Sequence, residues 1–273
     1  GDLVPSTHIN TRGMGDISAG YAENRAINFN NPASYSAFDA PKEAKSKKIA
    51  NGRAILDIGI NLESRTLRET NPARKFTASN LLFSYMQVGV PVKSGWGLSF
   101  GLRPVSRISY KIFRAERLKD PVTGQPIDSA TTRFEGDGGS YLASVGTGLI
   151  LFKKDEKDFE NSLSFGLNAG YLFGKKDNSS RREFRNDTVQ YFSANYETIT
   201  NFGNFYFNAG LQFRKVPKDE SKKFFSAGIY GNWGQQLNAR QDRIRETFVY
   251  DATLGDLRLD SVQDVKDVKG KIL

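Results

Sequence analysis

Leu163-Ser164-Phe165-Gly166-Leu167-Asn168-Ala169-Gly170-Tyr171-Leu172-Phe173-Gly174 decides the fold: odd positions are apolar or aromatic, and even positions are mostly Gly, Ser or Asn. A repeat of two marks a strand with two unlike faces; a helix repeats every 3.6 residues. The same alternation recurs on both sides of this stretch. Leu56–Glu63, Trp96–Leu102, Tyr141–Leu151, Phe205–Arg214 and Phe225–Gly234 all follow it. With Ser79–Val90 they predict roughly seven strands, several running past the usual 5–6 residues.

The face opposite the apolar one sets the class. A water-soluble sandwich sends Lys, Glu and Thr to solvent from that face. Here it is mainly Gly, Ser and Asn, which suits a crowded interior where backbones approach closely. Aromatics fall near the strand ends at Trp96, Phe152, Tyr171, Phe173, Phe213 and Phe225, where membrane-interface girdles would place them. The expected fold is therefore all-β: a transmembrane antiparallel up-and-down β-barrel, with about 7–8 strands in this chain. A large soluble β-sandwich is the alternative.

Connections carry the same reading. Val90–Gly95, Lys153–Glu160 and Val216–Lys223 are short and charged, whereas Ser64–Ala78, Ala115–Arg133, Lys175–Asn195 and Asn238–Lys269 are expected as long loops. Short and long alternate, as periplasmic turns and external loops do in outer-membrane barrels.

Residues 1–50 differ from residues 51–273. The first fifty hold Pro5, Pro32 and Pro41, small residues between Gly13 and Ala22, and a basic group of Lys42, Lys45, Lys47 and Lys48. Ile17, Tyr21, Ile27, Phe29, Tyr35 and Phe38 are too many apolar side chains for a disordered tail. A compact plug segment inside the barrel lumen is the expectation, followed by the barrel strands. The chain stops at Gly270-Lys271-Ile272-Leu273, where an apolar segment has barely begun, so a portion of a longer barrel is expected.

Composition excludes several chemistries. The 273 residues include no cysteine and one histidine, carry a net charge of +9 and are 38% apolar. Cysteine absence removes disulfide scaffolds, Cys-based zinc sites and thiol nucleophiles. The mean hydropathy of −0.50 does not argue against a barrel, because only alternate side chains meet lipid. His8 reads as a polar surface residue and not as a triad base. Asp120, Asp128, Glu135 and Asp137 fit no calcium-loop spacing. Gly136-Asp137-Gly138-Gly139 lacks the Lys-Ser/Thr of a phosphate loop. No enzyme activity, cofactor or metal is expected.

The stretch Arg12-Gly13-Met14-Gly15-Asp16-Ile17-Ser18-Ala19-Gly20-Tyr21-Ala22, followed by Ala26-Ile27-Asn28-Phe29-Asn30-Asn31-Pro32-Ala33-Ser34, resembles the N-terminal hatch of FadL-type outer-membrane transporters, and members from Bacteroidetes most of all. The resemblance implies about fourteen strands in the intact barrel and passive uptake of small hydrophobic molecules such as long-chain fatty acids or aromatic hydrocarbons. It implies hatch or gating roles for Gly13, Gly15, Asn30, Asn31, Pro32 and Ala33.

Outer-membrane location is expected, with any signal peptide removed or omitted. The cations Arg114, Arg117, Lys175, Lys176, Arg181 and Arg182 are assigned to lipopolysaccharide phosphates in preference to nucleic acid. The expected partners are outer-membrane lipids, lipopolysaccharide and a hydrophobic ligand. A second function stands beside transport: a non-transporting structural or partner subunit of a Bacteroidetes outer-membrane assembly, such as the type IX secretion system.

Overall fold

The computed structural model describes residues 2–5, 7–38, 40, 54–184, 192–219, 223–251, 253 and 255–272. The elements are β1 (Asp2–Leu3), α1 (Ile9–Gly13), a 3-10 turn (Pro32–Ala37), β2 (Ile55–Thr70), β3 (Ala73–Lys93), β4 (Trp96–Lys119), β5 (Pro126–Asp155), β6 (Phe159–Phe184), β7 (Ser193–Pro217), β8 (Phe225–Asn232), β9 (Leu237–Asp251) and β10 (Gly255–Ile272). All strands join one antiparallel sheet in the order β10-β9-β7-β6-β5-β4-β3-β2. β8 and β9 share one flank of β7, with β8 on Asn208–Lys215 and β9 on Ser193–Gly203. The two-residue β1 pairs with β4.

Every period-two stretch forms a strand, with Phe225–Gly234 doing so only as far as Asn232, so the all-β antiparallel class holds. The closed barrel is not formed: β2 and β10 each have one ladder partner among the described residues. No helix of the described residues is long and apolar enough to cross a membrane.

The long loops need correction. β2 and β3 are separated only by Asn71-Pro72, β4 runs to Lys119, and β5 starts at Pro126. β6 continues to Phe184, and most of Asn238–Lys269 is β9 and β10. Charge alone does not stop a strand when opposite charges meet across the ladder. Lys111 pairs with Glu135 at 2.9 Å and Arg258 with Glu246 at 3.0 Å, each joining neighbouring strands. The asymmetry read in the sequence is thus real in a different form. Short turns close one end of the sheet, and at the other end long paired hairpins project.

β5 spans 30 residues, roughly three times the 9–11 that a membrane-crossing strand needs. Its apolar alternation covers Tyr141–Leu151, which leaves roughly fifteen residues, or ~50 Å of strand, beyond it. Gly138 and Gly139, with φ of +125° and +153°, mark the change of regime. A Cβ on either would collide with the carbonyl oxygen of Lys175 or Ser106. Next to them, opposite Tyr141 and Ser140, β4 slips register between Pro104 and Ser106.

The apolar core sits between the N-terminal segment and one face of the sheet. Ile27, Tyr35 and Phe38 form its buried cluster, with Ile55 of β2 against it. Residues 39 and 41–53 lie outside the described residues, and so do the expected boundary at residue 50 and the basic group Lys42, Lys45, Lys47 and Lys48.

Candidate functional site

The N-terminal segment lies on the Gly/Ser/Asn face, and the register of the sheet explains how it fits. Gly97 of β4 is opposite Gly148 of β5, Gly148 is opposite Gly166 of β6, and Gly166 is opposite Gly210 of β7. Four adjacent strands therefore present one straight row without side chains. A Cβ at these positions would overlap the Tyr35 carbonyl oxygen (Gly97), the Pro32 carbonyl oxygen (Gly148), the Pro32 and Ala33 backbone (Gly166) or the Asn31 side chain (Gly210). Three of the four meet main-chain atoms, which cannot rotate away as a flexible side chain would. Gly228 of β8 extends the seat by accommodating Ala19 in the same manner.

Polar groups fix the segment on this row. The Asn31 carboxamide oxygen accepts from the Ala33 amide at 3.1 Å and caps the 3-10 turn, with Pro32 at its first position. Its NH2 donates to the carbonyls of Ala19 at 2.7 Å and Leu211 of β7 at 3.2 Å. Ser36 donates to Ser164 of β6 at 2.8 Å, and Asn168 of β6 donates to the Phe29 carbonyl at 3.3 Å. One side chain, Asn31, thus shapes its own turn and ties that turn to the wall.

His8 anchors the other end. Its Nδ1 accepts from the Asn10 amide at 3.1 Å, which caps α1, and its Nε2 lies 2.8 Å from an Asp57 oxygen on β2. Asp57 also accepts from the Ile27 amide at 3.1 Å. The imidazole lies tilted against the Tyr85 ring, with centroids 5.3 Å apart. His8 is only 3% exposed, which corrects its reading as a surface residue. Both ring nitrogens are engaged in holding the segment. Nearby, burial and the neighbouring Glu23 push the Tyr21 hydroxyl up to about 12.

The six hatch residues divide. Asn30, Asn31, Pro32 and Ala33 are all buried on the seat. Gly13 and Gly15 are exposed, and a Cβ on either would meet open space. Gly15, with φ of +72°, ends the turn after α1. Close approach is supplied by wall glycines, which a single sequence does not show to be in register.

The six rim cations do not form one phosphate-facing cluster. Arg114 pairs with Glu116 at 2.9 Å, Lys175 with Asp177 at 3.1 Å and Arg182 with Glu116 at 3.4 Å. Arg181 makes a two-pronged bond to Asp256 of β10 at 2.6 and 2.7 Å. Arg117 and Lys176 have no ion pair among the described residues. Alternation along β4 and β6 also splits the six between the two faces, with Arg114, Lys176 and Arg182 on the face that holds the N-terminal segment. The carboxylates considered for calcium are spread out, and no cluster of three or more His, Asp or Glu exists among the described residues. Asp120 instead accepts the Val122 and Thr123 amides at 2.7 and 2.9 Å in the β4–β5 turn, which holds its carboxyl below the usual range.

The opposite face of the same strands is bare and apolar. Phe100, Val145, Phe205 and Ile229 are at least half exposed there. Two aromatic levels border it. Tyr141, Phe173, Tyr171 and Phe205 form one, with rings 5.7–6.4 Å apart in sequence, and Phe213 with Phe225, 6.5 Å apart, belongs to the other. Phe213 is the register partner of Leu163, ten residues from Phe173, or ~33 Å along the strand. At the tilt of about 40° usual for outer-membrane barrel strands this distance would correspond to ~25 Å of height, comparable with the apolar band of such barrels. The recess lined by Leu98, Val145, Leu167, Phe207 and Trp233 opens on this face.

No curated protein and no solved structure matches the chain. One family model does, and it covers residues 1–272, from the N-terminal segment through β10. This overturns the assignment to FadL-type transporters, which rested on about 25 residues of small side chains followed by Asn-Pro-Ala. In that pattern Asn31, Pro32 and Ala33 shape a turn seated on the glycine row, whereas Gly13 and Gly15 are exposed, so the stretch does not identify a transporter. The chain belongs to the BamG family, a family associated with the BAM complex of the outer membrane.

Proposed function

We propose that the protein is a non-transporting partner subunit of the outer-membrane protein assembly machinery. The apolar face would meet lipid between the two aromatic levels, and the projecting hairpins would meet partner proteins. The observation that carries this reading is the family match over the whole chain. Two features support it. The N-terminal segment is bonded to β2, β6 and β7 through Asp57, Ser164 and Leu211, a fixed filling and not a loose hatch. Among the described residues β2 and β10 also each leave one edge without a ladder partner, and backbone groups in a bilayer need partners. Extraction in mild detergent followed by mass measurement tests the proposal. Recovery in a stoichiometric complex with other outer-membrane proteins is expected. Recovery as a lone species, with liposomes that conduct fatty acids faster than protein-free ones, would overturn it.

A further inference from the structure

Pairing between β3 and β4 stops at Met86 opposite Leu102, yet β3 extends to Ala73 and β4 to Lys119. Among the described residues, Ala73–Tyr85 keep only β2 as a ladder partner, and Ile108–Lys119 keep only β5. The sheet is therefore split above the apolar band, with a strand edge on each side. A cavity of about 760 Å³ opens at the base of the split, bordered by Val4, Phe83, Pro104 and Arg107.

The split already takes up an extended segment. Asp2 and Leu3 pair with Arg107 and Ser106, and the Val4 amide donates to the Val105 carbonyl at 3.1 Å. This strand covers three residues of an edge that continues for about a dozen more. The charge along the split is one-sided. Arg74 and Lys75 on β3 and Arg107, Arg117 and Lys119 on β4 make no ion pair among the described residues. The one carboxylate on these edges, Glu116, is held by Arg114 and Arg182.

We propose that the split between β3 and β4 is a strand-addition site whose occupant is an extended, carboxylate-bearing segment of a partner protein. The backbone edges supply the affinity through ladder hydrogen bonds, and the unpaired cations select for acidic side chains. The hydrogen bonds need no particular sequence, whereas the charges exclude basic segments. The proposal rests on the reading of the chain as a partner subunit, but it fails separately. Copurification that is unchanged by charge reversal at the split would keep the subunit role and overturn the split as its contact.

The experiment uses the full chain in detergent and a fluorescent ten-residue peptide alternating Asp and Val, with a Lys/Val peptide as counterpart. The acidic peptide is expected to bind and to slow hydrogen exchange at backbone amides within 73–85 and 108–119. The Lys/Val peptide is expected not to bind. Lys75→Glu combined with Arg117→Glu, both at exposed positions, should weaken binding by about tenfold or more. Equal binding of the two peptides, no binding of either, or protection confined to other strands would overturn the proposal.

Discussion

Gly166 and Leu167 follow each other on β6, yet Gly166 lies under the Pro32–Ala33 backbone while Leu167 is 43% exposed on the opposite face. The two faces of this sheet are governed by different physics. The segment-bearing face is a fitted surface, in which missing side chains and single hydrogen bonds decide whether 30 residues of chain can lie flat. The other face carries exposed apolar side chains such as Val145, Leu167 and Phe205, and among the described residues no chain segment is fitted onto it. Substitutions should therefore be judged by face, whatever their place along the strand.

The largest effect is expected from filling the glycine row. Gly166→Leu puts a branched side chain where main-chain atoms of Pro32 and Ala33 stand, and overpacking that cannot relax costs about 3 kcal/mol or more. The N-terminal segment should leave the sheet and become open to proteases at residues 1–38. Leu167→Ala next to it should leave the segment protected. Equal protection in both variants would break the distinction between the faces.

Asn31→Ala comes next. It removes the turn cap and two bonds to carbonyls, together about 2–3 kcal/mol, read as a lower midpoint in urea unfolding from detergent. Asp57→Ala should cost about 1–3 kcal/mol, because the buried His8 ring and the Ile27 amide each lose their acceptor. Its signature is faster amide exchange in 8–13 with the 3-10 turn unchanged.

The smallest effect belongs to Asp120→Ala at the tip of a projecting hairpin. It should speed exchange at the Val122 and Thr123 amides without shifting the unfolding midpoint. The Asp120 carboxyl lies below its ordinary value because these amides bond its charged form. Its contribution is therefore present above the unfolded carboxyl value of about 3.9. It is lost as pH falls through the lower folded one, so acid should loosen this turn in the wild type and leave the variant unaffected.

The period-two pattern made the strands legible, as at Leu163–Gly174, since each alternating run lies within one strand except Phe225–Gly234, whose last two residues pass the end of β8. Strand ends were not legible where charge replaced apolar alternation. Lys111 and Glu135 look like loop residues singly and become strand residues only as a cross-strand pair. The site was half legible. Asn30–Ala33 stood out as a turn within a small-residue context, whereas Gly97, Gly148, Gly166 and Gly210 form a row only once register is known. His8 was misread because its partner, Asp57, is 49 residues away. The family was misread because a local feature, the Asn31-Pro32 turn capped by its own side chain, was taken for the signature of one function.

The cysteine-free chain allows a direct test of the seat. Ser36 and Ser164 hydroxyls are 2.8 Å apart, close enough for cysteines placed there to bond. The full-length Ser36→Cys/Ser164→Cys variant should form an intramolecular disulfide on air oxidation, seen as near-complete loss of maleimide labelling that returns on reduction. Two cysteines that stay free and label at once would contradict the placement of the N-terminal segment on the glycine row.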